Sequence, residues 1–153
     1  MNPKPQKRHK ALQPLSREHH HGLLLSWKIR SGFNKNINPN RIKIYADWFF
    51  ETHLIPHFEM EEENIFPLLE SDNGLIKRAL AEHRRLKRLF NETTDNAKNL
   101  SKIEEELEQH IRFEERVLFP EIQKIATEEQ MLIIEKIHQQ EPFKDNLDDE
   151  FWK

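Results

Sequence analysis

The amino-acid sequence predicts an all-α protein, an antiparallel four-helix bundle with an additional short C-terminal helix. Charged residues make up 33% of the 153 residues and the apolar set 36%, a balance typical of long amphipathic helices with solvated outer faces. Only 3 glycines are present, which argues against a glycine-punctuated β-fold. Apolar residues recur at helical spacing in four long stretches with short connections, and such helices pack as an antiparallel bundle.

The first two helices are predicted from their starting signals. Residues 1–14 are expected to form a flexible lead-in, after which Ser16 caps the first helix. Asn38 followed by Pro39 places a cap and a proline at the start of the second helix, where the missing N–H of proline is not needed. Pro56 lies inside this second helix and is expected to kink it, because proline removes a backbone donor.

The later helices are marked by similar signals. A third helix is predicted at about 75–96. Ser101, with Glu104 three residues later, forms a capping box that is expected to open a fourth helix. Thr127 is expected to cap a fifth, shorter helix.

The domain organisation follows from these helices. The bundle is predicted to span residues 15–140, and the acidic tail at 141–153 is expected to be only partly ordered. Three aromatic residues of this tail are candidates for docking onto the bundle or onto a partner: Phe143, Phe151 and Trp152.

Charge and cysteine content exclude several classes of function. The formal charge of −3 comes from 24 basic and 27 acidic residues that are well mixed, so no basic field is available to attract nucleic acid. No apolar run approaches the ~20 residues that a membrane span needs. The absence of cysteine excludes disulfides and thiolate metal sites. A cytoplasmic location is therefore expected, while the oligomeric state is left open.

An internal repeat carries the candidate chemistry. Residues 57–67, HFEMEEENIFP, return as residues 110–120, HIRFEERVLFP, with the histidine, two glutamates, an aliphatic residue, phenylalanine and proline at matching positions. A fainter echo aligns the stretch at His83 with the stretch at His20. The repeat predicts two helix hairpins, each with one lone-histidine helix and one H-x-x-x-E helix.

The H-x-x-x-E spacing suits a shared metal centre. Residues four apart lie on one face of a helix, so His57 with Glu61, and His110 with Glu114, can converge on a metal from two helices. A glutamate one turn from a histidine can also bridge a second metal. Imidazoles with bridging carboxylates suit iron better than structural zinc, calcium or magnesium.

The other two helices are expected to supply one imidazole each, His83 and a histidine of the run at positions 19–21. Successive residues point about 100° apart around a helix, so these three rings cannot converge on one point. His20 best matches the predicted apolar face, His19 is the second choice, and His21 is expected to face solvent. His53 could be a further ligand or an outer partner, and the latter is favoured.

These motifs resemble the hemerythrin-like, HHE cation-binding family over roughly residues 12–125. The segments that carry the resemblance are REHHHGL at 17–23, HFEMEEENIFP at 57–67, AEHRRL at 81–86 and HIRFEERVLFP at 110–120. The resemblance implies a diiron site in which the two glutamates bridge the irons. The implied ligands are His20 or His19, His57, Glu61, His83, His110 and Glu114.

The chain departs from the oxygen-carrying members of that family at two positions. Those proteins have H-x-x-x-H on the third helix, whereas here His83 is followed four residues later by Lys87. They also end with H-x-x-x-x-D, whereas this chain has His110 followed by Glu114. The glutamate variant resembles the bacterial and regulatory branch, which is linked to iron, oxygen, nitric oxide and redox stress, rather than to stable oxygen transport.

Several functions remain open at this point. The leading interpretation is a protein whose two non-haem iron ions, oxo- or hydroxo-bridged, bind or sense O2 or NO, with a separate protein partner for output. Alternatives are a diiron enzyme that reduces peroxide or nitric oxide, and an iron donor for cluster repair. A metal-free interaction domain would bury its histidines and glutamates without compensation. A ferritin-like diiron oxidase fits less well, because such bundles use Glu-x-x-His in the opposite order.

Overall fold

A computed structural model describes residues 7–139 and 141–153 and confirms the predicted all-α bundle with a short C-terminal helix. Within these residues every regular element is helical. The helices are α1 Gln13–Asn34, α2 Pro39–Phe49, α3 Ile55–Met60, α4 Gly74–Asn91, α5 Asn96–Phe113, α6 Phe119–Ile125 and α7 Glu128–Ile137.

Two of the four bundle helices are long rods in which α-helical and π-helical turns alternate. The π segments are Phe50–Leu54, Glu61–Ile65 and Glu114–Leu118, and a short 3-10 turn covers Phe66–Leu68. The first rod runs over residues 39–68 and the second over 96–125. Pro56 lies just after the π segment Phe50–Leu54, so the disturbance expected at this proline takes the form of a π turn.

Two of the predicted helix starts are confirmed. The Asn38 side chain accepts a hydrogen bond from the Asn40 backbone N–H, with Pro39 in the first turn. Thr127 and Gln130 form a reciprocal capping box at the start of α7.

Two other helix starts differ from the prediction. Ser16 lies inside α1, and its hydroxyl donates to Glu115 Oε2 at 2.8 Å on the second rod instead of capping its own helix. Ser101 lies inside α5, which begins earlier because Asp95 caps it from a left-handed backbone conformation. Leu100 is fully buried, so the apolar face of α5 already begins before Ser101.

The two ends of the chain are more closely packed than the sequence suggests. Residues 1–6 of the expected lead-in lie outside the described residues, but Ala11 and Leu12 are fully buried. At the other end, Phe151 and Trp152 are buried in the core, and Lys28 donates to Asp145 at 2.6 Å. The tail therefore folds back onto the bundle, one of the two docking modes that the sequence left open.

The apolar core consists of two clusters with a polar layer between them. The tail-side core contains Phe151 and Trp152 together with residues such as Leu25, Leu86 and Leu107. The α7-side core contains Met131 and Ile134 together with residues such as Leu15, Ile65 and Leu118. Each bundle helix contributes apolar residues to both clusters. Its buried histidine or glutamate side chains lie between these two apolar stretches.

Candidate metal centre

Six polar side chains from all four bundle helices meet in this layer. Each is almost completely removed from solvent, with exposed fractions between 0% and 5%. The residues are His19 on α1, His57 on α3, Glu61 at the following π turn, His83 on α4, His110 on α5 and Glu114 at the last π turn. Both glutamates stand at the first position of a π segment, a kind of turn that occurs often at functional sites.

The six residues form two overlapping sets of candidate ligands. The first set is His19, His57, Glu61 and Glu114, and the second set is His83, His110, Glu61 and Glu114. In each set one ligand atom per residue lies within 4.8 Å of all the others. Because both glutamates belong to both sets, each carboxylate is placed to bridge two ions.

The inward-facing atoms of this layer are poorly satisfied by protein partners. The Nε2 atoms of His57, His83 and His110 are buried and have no hydrogen-bond partner. Both carboxylate oxygens of Glu61 and Oε2 of Glu114 are also buried and have no hydrogen-bond partner. Buried polar atoms without partners are costly, so this set of converging nitrogens and oxygens fits a bound cation.

Close imidazole–carboxylate approaches define the interior of the site. Glu61 Oε1 lies 3.2 Å from Nε2 of His57 and 3.2 Å from Nε2 of His83. Glu114 Oε1 lies 2.9 Å from Nε2 of His19 and 3.4 Å from Nε2 of His110. Each glutamate thus approaches one histidine from each set, as a bridging ligand requires.

Four further carboxylates surround the layer. Each one binds Nδ1 of one of the four histidines of the layer, on the ring edge that faces away from the centre. Each outer carboxylate accepts a hydrogen bond from one Nδ1–H, which leaves Nε2 directed inwards. The pairs are His19 with Glu115 at 2.7 Å, His57 with Glu18 at 2.6 Å, His83 with Glu62 at 2.8 Å, and His110 with Glu82 at 2.7 Å. We call Glu18, Glu62, Glu82 and Glu115 the outer carboxylates. A carboxylate behind each histidine is a recurrent feature of metal sites.

The outer carboxylates also link the helices in a ring. Each one is the chain neighbour of a candidate ligand on its own helix but binds the histidine of another helix. Glu18 next to His19 holds His57, and its counterpart Glu82 next to His83 holds His110. The arrangement repeats the internal symmetry of the sequence.

Attraction between histidines and glutamates shifts the pKa values of the residues in this layer. Burial disfavours the charged imidazolium, yet the attraction of the nearby Glu61 carboxylate and the hydrogen bond to Glu18 raise the pKa of His57 to about 9. The pKa of His110 is raised to about 9 in the same way, with Glu114 and Glu82 as partners. Burial would raise the pKa of Glu61, but the surrounding histidines hold it well below its ordinary value. The histidines and glutamates of the layer therefore shift one another's pKa values in opposite directions.

The structure places His19 in this layer and leaves His20 outside it. His19 is 3% exposed, whereas His20 is solvent-exposed and its ring contacts His21. The predicted apolar face of α1 is wrong, because Trp27, which lies on the same helix face as His20, is 49% exposed, whereas Leu25 is buried. The dipeptide Glu18-His19 matches Glu82-His83. This match would have predicted His19, rather than His20, as the counterpart of His83.

The remaining candidate histidines lie elsewhere. His53 belongs to neither ligand set, and its ring lies against Trp48, Phe49 and Phe143. His21, expected in solvent, is half-buried and stacks on Phe143. Lys87, where the oxygen carriers have a histidine, lies 3.8 Å from Glu62.

The outer carboxylates are the residues of the candidate site that the sequence did not predict. Two of them, Glu62 and Glu115, are part of the repeated segments, and the other two directly precede His19 and His83. A glutamate beside a ligand at four places was a usable signal. Its meaning depends on contacts between helices, which the sequence does not contain.

A cavity of about 700 Å³ reaches the layer from one side. His19, His57 and His110 form part of its inner wall. Its outer wall is formed by residues 136–139 and 141–143, which we call the roof segment. Within residues 7–139 and 141–153, no helix combines the length and the apolarity needed to cross a membrane.

Comparison with protein families gives a match over most of the chain. The family described as hemerythrin HHE cation binding domain matches residues 7–122, and a second match covers residues 80–141. Neither the curated proteins nor the solved structures contain a significant match.

Proposed function

This chain belongs to the hemerythrin HHE cation-binding family, and from that premise we propose that it holds two non-haem iron ions and uses them to bind or sense O2 or NO. His19 and His57 would hold one ion, and His83 and His110 the other. Glu61 and Glu114 would bridge the two. A bound ferrous pair supplies open coordination positions and electrons for a diatomic ligand.

The observation that carries the proposal is the sharing of both buried glutamates by two histidine pairs. Each set offers two imidazoles and two carboxylates. Two histidines with carboxylate donors and positions left free are typical of non-haem iron sites. Closed structural zinc sites use four protein ligands that are rich in thiolate and imidazole, and this chain has no cysteine.

The residues of the chain have distinct tasks in this proposal. The outer carboxylates hold each imidazole in the tautomer that directs Nε2 inwards. The two apolar cores keep bulk water away on both sides of the layer. The cavity next to His57 gives a small ligand a path from the surface.

An enzymatic or iron-donating role is the second candidate, and the cavity is the observation that favours it. A volume of about 700 Å³ admits more than a diatomic molecule, so peroxide and water could reach the layer. The two roles differ in outcome. A sensor forms a stable adduct with NO or O2, whereas an enzyme consumes NO or peroxide repeatedly. Stable adducts without turnover would exclude the enzymatic role.

Metal analysis tests the core of the proposal. Protein expressed with added iron and purified anaerobically, without an affinity tag of histidines, is expected to contain two iron ions per chain. Glu61→Ala is expected to lose both ions because it removes a carboxylate shared by both sets. Iron content is measured by elemental analysis, together with the visible absorption of the ferric protein.

Glu63→Ala is the matched control, because Glu63 lies on the same π segment but is exposed. It is expected to retain both ions. Far-ultraviolet circular dichroism establishes that both variants fold, and Glu61→Gln provides a milder change at the same position. Wild-type protein with less than a trace of iron, or with zinc in its place, would overturn the proposal.

A further inference from the structure

Glu18 differs from the other outer carboxylates in its second partner. The other three have their further partners on α1, on α4 or just before α1. Those pairs are Glu82 with Arg78 at 2.9 Å, Glu115 with Ser16 at 2.8 Å and with Arg8 at 3.4 Å, and Glu62 with Lys87 at 3.8 Å. Glu18 instead accepts a hydrogen bond from Nε2–H of His138, in the roof segment, at 2.9 Å. The roof segment is therefore bonded directly to a residue that surrounds the layer.

Two hydrogen bonds lead from His138 to a candidate ligand. His138 binds Oε2 of Glu18, and Oε1 of the same carboxylate accepts from Nδ1–H of His57 at 2.6 Å. A carboxylate that is held at both oxygens has a fixed plane, whereas one held at a single oxygen can rotate about its own bond. The orientation of the His57 ring, with Nε2 directed into the layer, therefore depends on His138 as well as on Glu18.

The roof segment is fastened to the bundle by two of its side chains. His138 and Phe143 are half-buried, whereas every other described residue of this segment is exposed. Phe143 stacks on His21, with ring centroids 4.0 Å apart, and lies 4.7 Å from the ring of His53. A stretch with so little buried surface opens at a lower free-energy cost than the helices beside it. The bond to Glu18 therefore contributes a large share of what keeps the segment closed.

Firm attachments lie on both sides of the roof segment. Met131 and Ile134 of α7 are buried in the core before it, and Phe151 and Trp152 are buried in the core after it. The segment can therefore open between these two attachments while the helices stay packed. This gives it two arrangements, a closed one that is bonded to the surround of the layer and an open one that is not.

We propose that His138 is a positioning residue of the first ligand set and that it couples closure of the roof segment to metal binding there. Its bond to Glu18 keeps the ring of His57 in the orientation that an ion requires. Coupling between two sites is reciprocal, so an ion held by His57 in turn favours the closed roof segment. This inference rests on the proposed function, since it concerns the ions bound at that site. The second set is expected to be independent, because Arg78 and Lys87 hold its outer carboxylates.

The first experiment uses metal-free full-length protein. NMR measures how fast the Nδ1–H protons of His57 and His110, each bound to an outer carboxylate, exchange with solvent. His138→Ala is expected to accelerate exchange at His57 roughly fivefold, the effect of one ordinary hydrogen bond, and to leave His110 unchanged. His138→Gln keeps an N–H donor at a similar reach and should restore the parental rate. An unchanged rate at His57 in His138→Ala, or equal acceleration at both histidines, overturns the proposal.

The second experiment measures the affinity of each ferrous ion by anaerobic competition with a chelator. His138→Ala is expected to weaken one of the two ions up to roughly fivefold and to leave the other nearly unchanged. His9→Ala is the matched control, because His9 binds Glu128 at the same 2.9 Å but lies outside both ligand sets and the cavity wall. This control should retain the parental affinity for both ions. Equal weakening of both ions in His138→Ala would indicate a general structural role and overturn the proposal.

Hydrogen-exchange mass spectrometry tests the reverse direction of the coupling. Ferrous ions should slow amide exchange in the roof segment of the parent by about the factor seen in the affinity, and should have no such effect in His138→Ala. Roof exchange that the ions leave unchanged in the parent overturns the coupling. A parent that binds no iron contradicts the proposed function, but exchange at His57 in metal-free protein still decides whether His138 positions that ring. A parent that binds two ions, with His138→Ala identical to it in all three measurements, contradicts this inference alone.

Discussion

The two ligand sets share their carboxylates but differ in how their histidines are enclosed. Both imidazoles of the first set, His19 and His57, form part of the cavity wall. In the second set His83 is covered by Phe58, which stacks on it with ring centroids 3.8 Å apart, and by Phe66 at 5.3 Å. Only His110 of that set reaches the cavity.

This difference shows that a symmetric sequence repeat can produce an asymmetric site. The ligand atoms follow the repeat, because they depend on helical spacing that both copies share. Enclosure depends on what covers each copy. The roof segment lies beside the first set and leaves a cavity there, whereas aromatic rings of the first rod fill the space beside His83. We therefore expect exchange of ligands to occur at the first set.

The largest difference between the two sets is expected when one imidazole is removed from each. His57→Ala and His83→Ala are each expected to lose about one iron ion, since each removes one of the two nitrogen donors of a set. Millimolar imidazole should restore the ion in His57→Ala, because the space left by the side chain opens into the cavity. It should fail in His83→Ala, where Phe58 and Phe66 close the space. Elemental analysis with and without imidazole measures both effects, and equal rescue would contradict the assigned asymmetry.

The outer carboxylates provide a comparison in which the two sets should behave alike. Glu18 and Glu62 are both half-buried, and each holds one ligand histidine. Glu18→Ala and Glu62→Ala are each expected to weaken iron binding roughly 10- to 100-fold, the usual effect of removing such a partner. Competition with a chelator measures the affinity. A large effect in only one variant would mean that the outer carboxylates do not support both sets equally. Unchanged iron affinity in both variants would mean that these carboxylates do not contribute to iron binding.

The smallest expected effect concerns Asp145, which follows the roof segment and binds Lys28 of α1. Although partial burial opposes its charged form, hydrogen bonds from Lys28 and Tyr45 lower the pKa of Asp145 below its ordinary 3.8. A lowered pKa means that this stabilisation is complete above pH 3.8 and is lost as the pH falls further. Asp145→Asn should therefore cost on the order of 1 kcal/mol of unfolding free energy at neutral pH.

Urea unfolding at neutral pH and at a pH well below 3.8 measures this cost. The difference between Asp145→Asn and the parent should shrink in acid, where the parent carboxylate is protonated too. Asp148→Asn, at an exposed position of the same tail, is the control and should leave the stability nearly unchanged. If the difference in unfolding free energy between Asp145→Asn and the parent grows in acid, the direction assigned to the pKa shift of Asp145 is wrong.

Local rules predicted the part of the structure that depends on residues close in sequence. The caps at Asn38 and Thr127 were correct because a cap is satisfied within one turn. The cap at Ser101 was wrong for a related reason, since Asp95 offers an equally local start six residues earlier. Burial of Leu100 favours the earlier start, and burial is not visible from a capping motif.

The sequence by itself determined the helices, the H-x-x-x-E pairs and the twofold repeat, because each follows from the 3.6-residue period of a helix. Tertiary structure alone brought His19 rather than His20 into the polar layer, since neighbouring residues differ only by which face of α1 packs inwards. It also decided the outer carboxylates and the cavity, which join residues as far apart as Glu18 and His138. Contacts of that kind arise from the packing of whole helices, and no local period encodes them.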